Sequence, residues 1–170
     1  EIEAIRNNIT SALSAENLEK AKGKTREEIF ALFGNDDAMV VGFVPEKWLK
    51  YLGEGIKDNR IYTGLGYFID HAVNHHPNIE TEKYLLMQEV LNEPDSIKAV
   101  DVDGHKSVAF IKKLDKYNAV VIEVEQTEDG RIIWHKSFYD QRKEPYKKSP
   151  DLRGDISDPS VGGGDRKSVV

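Results

Sequence analysis

The chain contains no cysteine. A disulfide framework is therefore excluded, and so is a zinc site built on thiolates; the absence fits a reducing compartment. Long hydrophobic runs are missing too. No stretch approaches the ~20 apolar residues that a membrane-spanning helix requires, so no membrane partner is expected. Neither a Gly-x-x-x-x-Gly-Lys phosphate loop nor a Gly-x-Ser-x-Gly elbow occurs, and nothing in the sequence asks for a cofactor. Positive charge is in deficit, with a net charge of −6, which by itself argues against nucleic-acid binding. Its distribution is uneven, however. Residues 1–104 carry 11 Lys or Arg against 19 Asp or Glu, whereas residues 105–148 carry 10 against 7. A local basic patch can steer a polyanion in spite of the overall sign.

The 170 residues suffice for one domain with polar flanks. Residues 1–24 are polar with a weak helical period (Ile2, Ile5, Ile9, Leu13, Leu18) and read as a helical or flexible flank. Thr25 and Glu28 match a capping box ahead of Ile29, Phe30, Leu32 and Phe33, with Gly34 as the stop. Met39–Val44 reads as a short buried strand ended by Pro45, and Ile61–Thr63 as a second β-like piece. Tyr67–His76 carries apolar residues at helical spacing until Pro77, and Thr81–Leu91 forms a second amphipathic helix. The period then changes to two. Turns at Asp103-Gly104 and Asp129-Gly130 separate alternating runs over residues 97–139. The expected fold is α+β: helices on one face of a four-stranded antiparallel meander, within a domain at residues 25–143. Residues 144–170, with Gly162-Gly163-Gly164, read as a polar flexible tail.

Three of the five histidines fall within six residues: His71, His75 and His76. Imidazole exchanges protons near neutral pH, so the cluster is the strongest pointer to chemistry. His71 and His75 share a helix face at i, i+4. The residue after His71 is alanine, so the His-Glu-x-x-His zinc motif is absent and no metal site is expected. On the last strand, alternation puts His135, Ser137 and Tyr139 on one face, and Ile132, Trp134, Lys136 and Phe138 on the other. Lys106, Lys112 and Lys113, with His105, add cations. Cleavage of RNA through its own 2′-hydroxyl needs a base, an acid and a cation near the phosphate, and no metal.

The order of elements carries a further signal. Tyr62-Thr63 precedes a helix with His71, then His76-Pro77-Asn78-Ile79, then Pro94-Asp95-Ser96-Ile97, then Phe110-Ile111-Lys112, and finally Gly130 through Tyr139. Over roughly residues 39–143 this resembles the phage-type nuclease domains of the Barnase–EndoU–colicin–RelE-like (BECR) superfamily, found at the C-terminal ends of phage head-morphogenesis and polymorphic toxin polypeptides. The resemblance implies metal-independent ribonuclease chemistry on an RNA substrate, an immunity or antitoxin protein as partner, and action in the cytoplasm, with delivery as part of a phage or secreted polypeptide. It also implies roles. His71, His76, Lys112 and Ser137 become the catalytic candidates; His75, His135, Lys136, Tyr139 and Lys106 become substrate-binding candidates. The acidic N-terminal half departs from that pattern. The competing expectation is a non-catalytic interaction module of a phage or mobile-element polypeptide. Whether His71, His76, Lys112 and Ser137 converge on one cleft separates the two.

Overall fold

The computed structural model describes residues 1–154. Helices α1 (Ile2–Ala12), α2 (Ala15–Ala21) and α3 (Arg26–Phe33) come first. Two of them start on side-chain caps. Ser14 Oγ accepts from Asn17 N–H at 3.2 Å, and Thr25 and Glu28 close the expected box, with Thr25 N–H donating to Glu28 Oε1 at 2.8 Å. Strand β1 (Ala38–Phe43) leads through α4 (Glu46–Leu49) to β2 (Arg60–Gly64). Helix α5 (Leu65–Asp70) runs on into a π-helical turn, His71–His75. A 3₁₀ segment (Thr81–Leu86) and α6 (Met87–Asn92) precede the strands β3 (Ser96–Val102), β4 (His105–Lys113), β5 (Tyr117–Thr127) and β6 (Gly130–Gln141).

The α+β class holds, but the sheet is larger than expected and mixed. It has six strands in the order β1-β2-β6-β5-β4-β3. Strands β3 to β6 pair antiparallel in sequence order. The β1–β2 hairpin then docks on β6, with β2 parallel to it. That parallel ladder is short: only Ile61 and Tyr62 face Ile133 and Trp134. Past this point β2 leaves β6, stays paired with β1 through Gly64, and turns into α5.

Two glycines set this departure. A Cβ on Gly64 would collide with the Asn35 side chain and lie 2.9 Å from the Asn35 carbonyl oxygen; one on Gly66 would lie 2.7 Å from the Gly34 carbonyl oxygen. The start of α5 is thus pressed against the α3–β1 turn. There Gly66 N–H donates to Gly34 C=O at 2.8 Å and Tyr67 N–H to Asn35 Oδ1 at 2.8 Å.

The main core lies between the helices and one face of the sheet, around Phe68, Met87, Leu91, Ile97, Phe110, Ile122, Ile133 and Phe138. Residues 1–24 belong to it rather than forming a solvated flank. Ile5, Ile9, Ala12 and Leu13 are buried, because their i, i+4 spacing makes a stripe that lies against the sheet. The other face holds Val100, Ala109, Ile111, Ala119 and Val121, with Tyr139 and Tyr146 against them.

The expectation of a flexible tail from residue 144 is corrected over residues 144–154. Tyr146 joins the second apolar cluster, and residues 150–152 run antiparallel along β3. Ala99 N–H donates to the Pro150 carbonyl at 3.2 Å and Leu152 N–H to the Ile97 carbonyl at 2.7 Å. An unpaired strand edge supplied partners that composition alone does not reveal. The remainder of the expected tail, including Gly162-Gly163-Gly164, lies outside the described residues. Among the described residues, no helix is long and apolar enough to cross a membrane.

Candidate functional site

The site forms where β2 abandons β6. From Lys136 onward β6 has no strand on that side, and α5 with its π turn occupies the gap. Tyr67 fixes the approach by donating its hydroxyl to the Lys136 carbonyl at 2.7 Å. Burial pushes the Tyr67 phenol up to about 12, so it remains a donor at neutral pH.

The π turn determines which way the histidines point. Its i→i+5 bond, His76 N–H to the His71 carbonyl at 2.9 Å, inserts one residue into the turn. His75 and His76 therefore serve different partners. His75 stacks on His71, with ring centroids 4.3 Å apart and planes 15° apart, and its Nε2 lies 3.6 Å from Asp70 Oδ2. His76 points to the sheet, where its Nε2 is 3.0 Å from Ser137 Oγ and its ring meets the Tyr139 ring edge-on at 4.8 Å. His71 sits between them, against Tyr67 at 4.3 Å and with its centroid 6.3 Å from that of His76.

Strand β6 contributes through a β-bulge. Val121 faces Ser137 and Ile122 faces His135, so Lys136 has no opposite residue on β5. The extra residue breaks the alternation expected for this strand. His135 shares the helical face with Ile122, Ile133 and Phe138, while Ser137 and Tyr139 lie on the opposite face with Val121 and Ala119. A shift of one residue exchanges faces in a period-two structure.

The resulting cleft has a volume of about 300 Å³ and is lined by Arg26, Tyr67, His71, His75, His76, Val102, Asp103, Lys136, Ser137 and Tyr139. A neighbouring cleft of about 290 Å³ shares Tyr67 and Lys136 and continues past Trp134, Glu123 and Glu125. Lys136 Nζ bridges to Glu123 Oε1 at 3.0 Å between them. The charged forms of His71 and His76 are disfavoured. Burial, aided by the charge of His75, pushes His71 down to about 4. Burial also lowers His76, more modestly.

Of the nine candidate site residues, six line this cleft: His71, His75, His76, Lys136, Ser137 and Tyr139. His135 does not. It is 4% exposed, meets Phe68 at 5.3 Å, keeps an unpartnered Nδ1, and is driven by burial down to about 3. It reaches only the floor of the neighbouring cleft. Lys112 and Lys106 are also misplaced. Alternation along β4 puts both on the side of Val108 and Phe110, opposite Ser137, and Lys112 Nζ instead donates to the Glu93 carbonyl at 2.8 Å. The cation of the cleft is Lys136, with Arg26 at the mouth, its guanidinium 5.5 Å from the centroid of the Tyr67 ring. Arg26, Tyr67 and Asp103 escaped sequence reasoning. Arg26 occupies the first turn of a surface helix and Asp103 a hairpin turn, where solvation is the ordinary explanation.

Asp70 completes the geometry. It is 1% exposed, accepts from Asn74 Nδ2 at 2.7 Å through Oδ1, and leaves Oδ2 without a hydrogen bond. With His71 and His75 it brings three potential ligand atoms within 4.8 Å of one another.

No protein-family model matches the chain, and comparison with curated proteins and with solved structures finds no match.

Proposed function

We propose that the histidine cleft cleaves RNA, as a BECR-like endoribonuclease domain working without a metal. The observation that carries this reading is the convergence of His71, His76, Ser137 and Lys136 on one cleft from two segments far apart in sequence. In the proposed reaction one imidazole takes the proton of a ribose 2′-hydroxyl, whose oxygen attacks the adjacent phosphorus. The bond to the 5′-oxygen breaks, the other imidazole protonates that leaving oxygen, and a 2′,3′-cyclic phosphate remains. His76 suits the first role. It is less buried than His71 and hydrogen-bonded to Ser137, which fixes its ring. His71 supplies the second proton. Its low basicity in the free protein rises when a phosphate anion enters, because a nearby negative charge favours the imidazolium. Lys136 and Arg26 offset charge on the phosphorane. Ser137 and Tyr139 orient the phosphate. His75 supports His71 by stacking.

The test is an RNA-cleavage assay on the full chain with and without EDTA. His71→Ala and His76→Ala should each lose roughly 10²–10⁴-fold in rate, the range typical of positioned acids and bases. Wild-type rates in both variants remove the assignment. Loss of activity on chelation removes its metal independence.

A further inference from the structure

We propose that Asp70, His71 and His75 form a binding site for a divalent transition metal of the zinc class, at the rim of the histidine cleft. This goes beyond the ribonuclease reading and does not depend on it.

Four observations support the site. First, three ligand atoms of suitable type lie within 4.8 Å of one another. One carboxylate with two imidazoles is a donor set that suits zinc, with a fourth position left for water from the cleft. Second, two of the three ligands are unsatisfied. Asp70 is 1% exposed and its Oδ2 accepts no hydrogen bond, with His75 Nε2 3.6 Å away, and His71 Nδ1 is buried with no hydrogen bond. Buried polar atoms almost always have a partner, and two orphans in adjacent residues mark a place prepared for one. Third, the ligands are braced. Asn74 donates to Asp70 Oδ1 at 2.7 Å and also to the Lys24 carbonyl at 3.1 Å, tying the carboxylate to the backbone before α3. Metal-bound carboxylates are commonly held in this way through their other oxygen. Fourth, the π turn supplies the spacing. In it Asp70 and His75 are five residues apart, and Asp70 Oδ2 lies 3.6 Å from His75 Nε2. Ligand atoms on one tetrahedral zinc are about 3.5 Å apart. The Asp70–His75 pair already has that separation, and the side chain of His75 is 52% exposed.

His71 is shared with the proposed catalytic pair, so metal and proton are alternatives at that ring. His76 and Ser137 lie outside the ligand set.

The experiment measures binding rather than cleavage, so its outcome stands apart from that of the ribonuclease reading. The full chain is titrated with Zn²⁺ by calorimetry and with Co²⁺ by visible absorption. The expected result is one ion per chain, with the Co²⁺ bands of a four-coordinate site. Asp70→Asn and His75→Gln should each weaken binding by at least about tenfold, while His105→Gln leaves it unchanged. If Asp70→Asn fails to fold, His75→Gln decides, since His75 is exposed. Absence of saturable binding overturns the proposal and leaves Asp70 as the ion-pair partner of His75. Equal affinity in wild type and His75→Gln overturns it as well.

Discussion

The two ends of strand β6 make unlike surroundings from the same alternating sequence. Before Lys136, Ile133 and Trp134 lie between strands on both sides, and His135 turns into the apolar core. After Lys136, Ser137 and Tyr139 have a strand on one side only and meet side chains delivered by the π turn on the other. One inserted residue and one departing strand account for the difference. A histidine thus becomes inert filling two positions before a serine that can serve chemistry.

Phe138→Ala should have the largest effect. Phe138 is the first inward residue beyond the bulge and is 1% exposed, so the expected cost is that of removing a buried aromatic ring, ~3–5 kcal/mol. Urea denaturation measures it; a loss under about 1 kcal/mol, the ordinary effect of a substitution, breaks the comparison.

Acid comes next. The unfolded chain binds protons on its histidines below about pH 6.5, whereas folded His71 waits until about 4 and His135 until about 3. Folding stability is then complete above pH 6.5 and is lost as pH falls towards 4, by up to about 1.4 kcal/mol per pH unit for each of the two. Denaturation curves at pH 7, 6 and 5 should show this slope, and His135→Gln should flatten it by about half. An unchanged slope in that variant places the acid sensitivity elsewhere.

Smaller effects probe the seam between the two ends. Tyr67→Phe removes the hydrogen bond to the Lys136 carbonyl and should cost about 1 kcal/mol in thermal unfolding. A larger loss means that the bond holds the whole of α5 in place. Lys112→Met should be nearly silent, within about 0.5 kcal/mol in stability and without effect on RNA cleavage, since Lys112 faces away from the cleft. A cleavage defect there returns the lysine to the site.

Local signals in the sequence were faithful. The Thr25–Glu28 box, the turn at Asp103-Gly104 and the alternation of Val120, Ile122 and Val124 appear as read, and the second hairpin turns one residue before its Asp-Gly signal, at Glu128-Asp129. These features are fixed by neighbours a few residues apart. What could not be read depends on partners far along the chain. The parallel docking of β2 on β6 joins Ile61 to Ile133, and nothing in a five-residue strand specifies that partner. The bulge at Lys136 leaves no mark in composition, so strand alternation puts His135 on the face of Ser137 and Tyr139, whereas it turns to the opposite one. The π turn likewise hides behind an ordinary helical pattern. The histidine cluster was visible from its density, but its division of labour was not.

The strap of residues 150–152 on β3 has a consequence for how the molecule behaves in a crowd. An open strand edge is a template on which another chain can add itself. With Pro150 and Leu152 bonded to Ala99 and Ile97, that template is already taken by the molecule's own chain. Cleavage in the exposed stretch at Arg142-Lys143 would release the cover. The edge of β3 would then offer its unpaired backbone groups to another strand, with the histidine cleft intact.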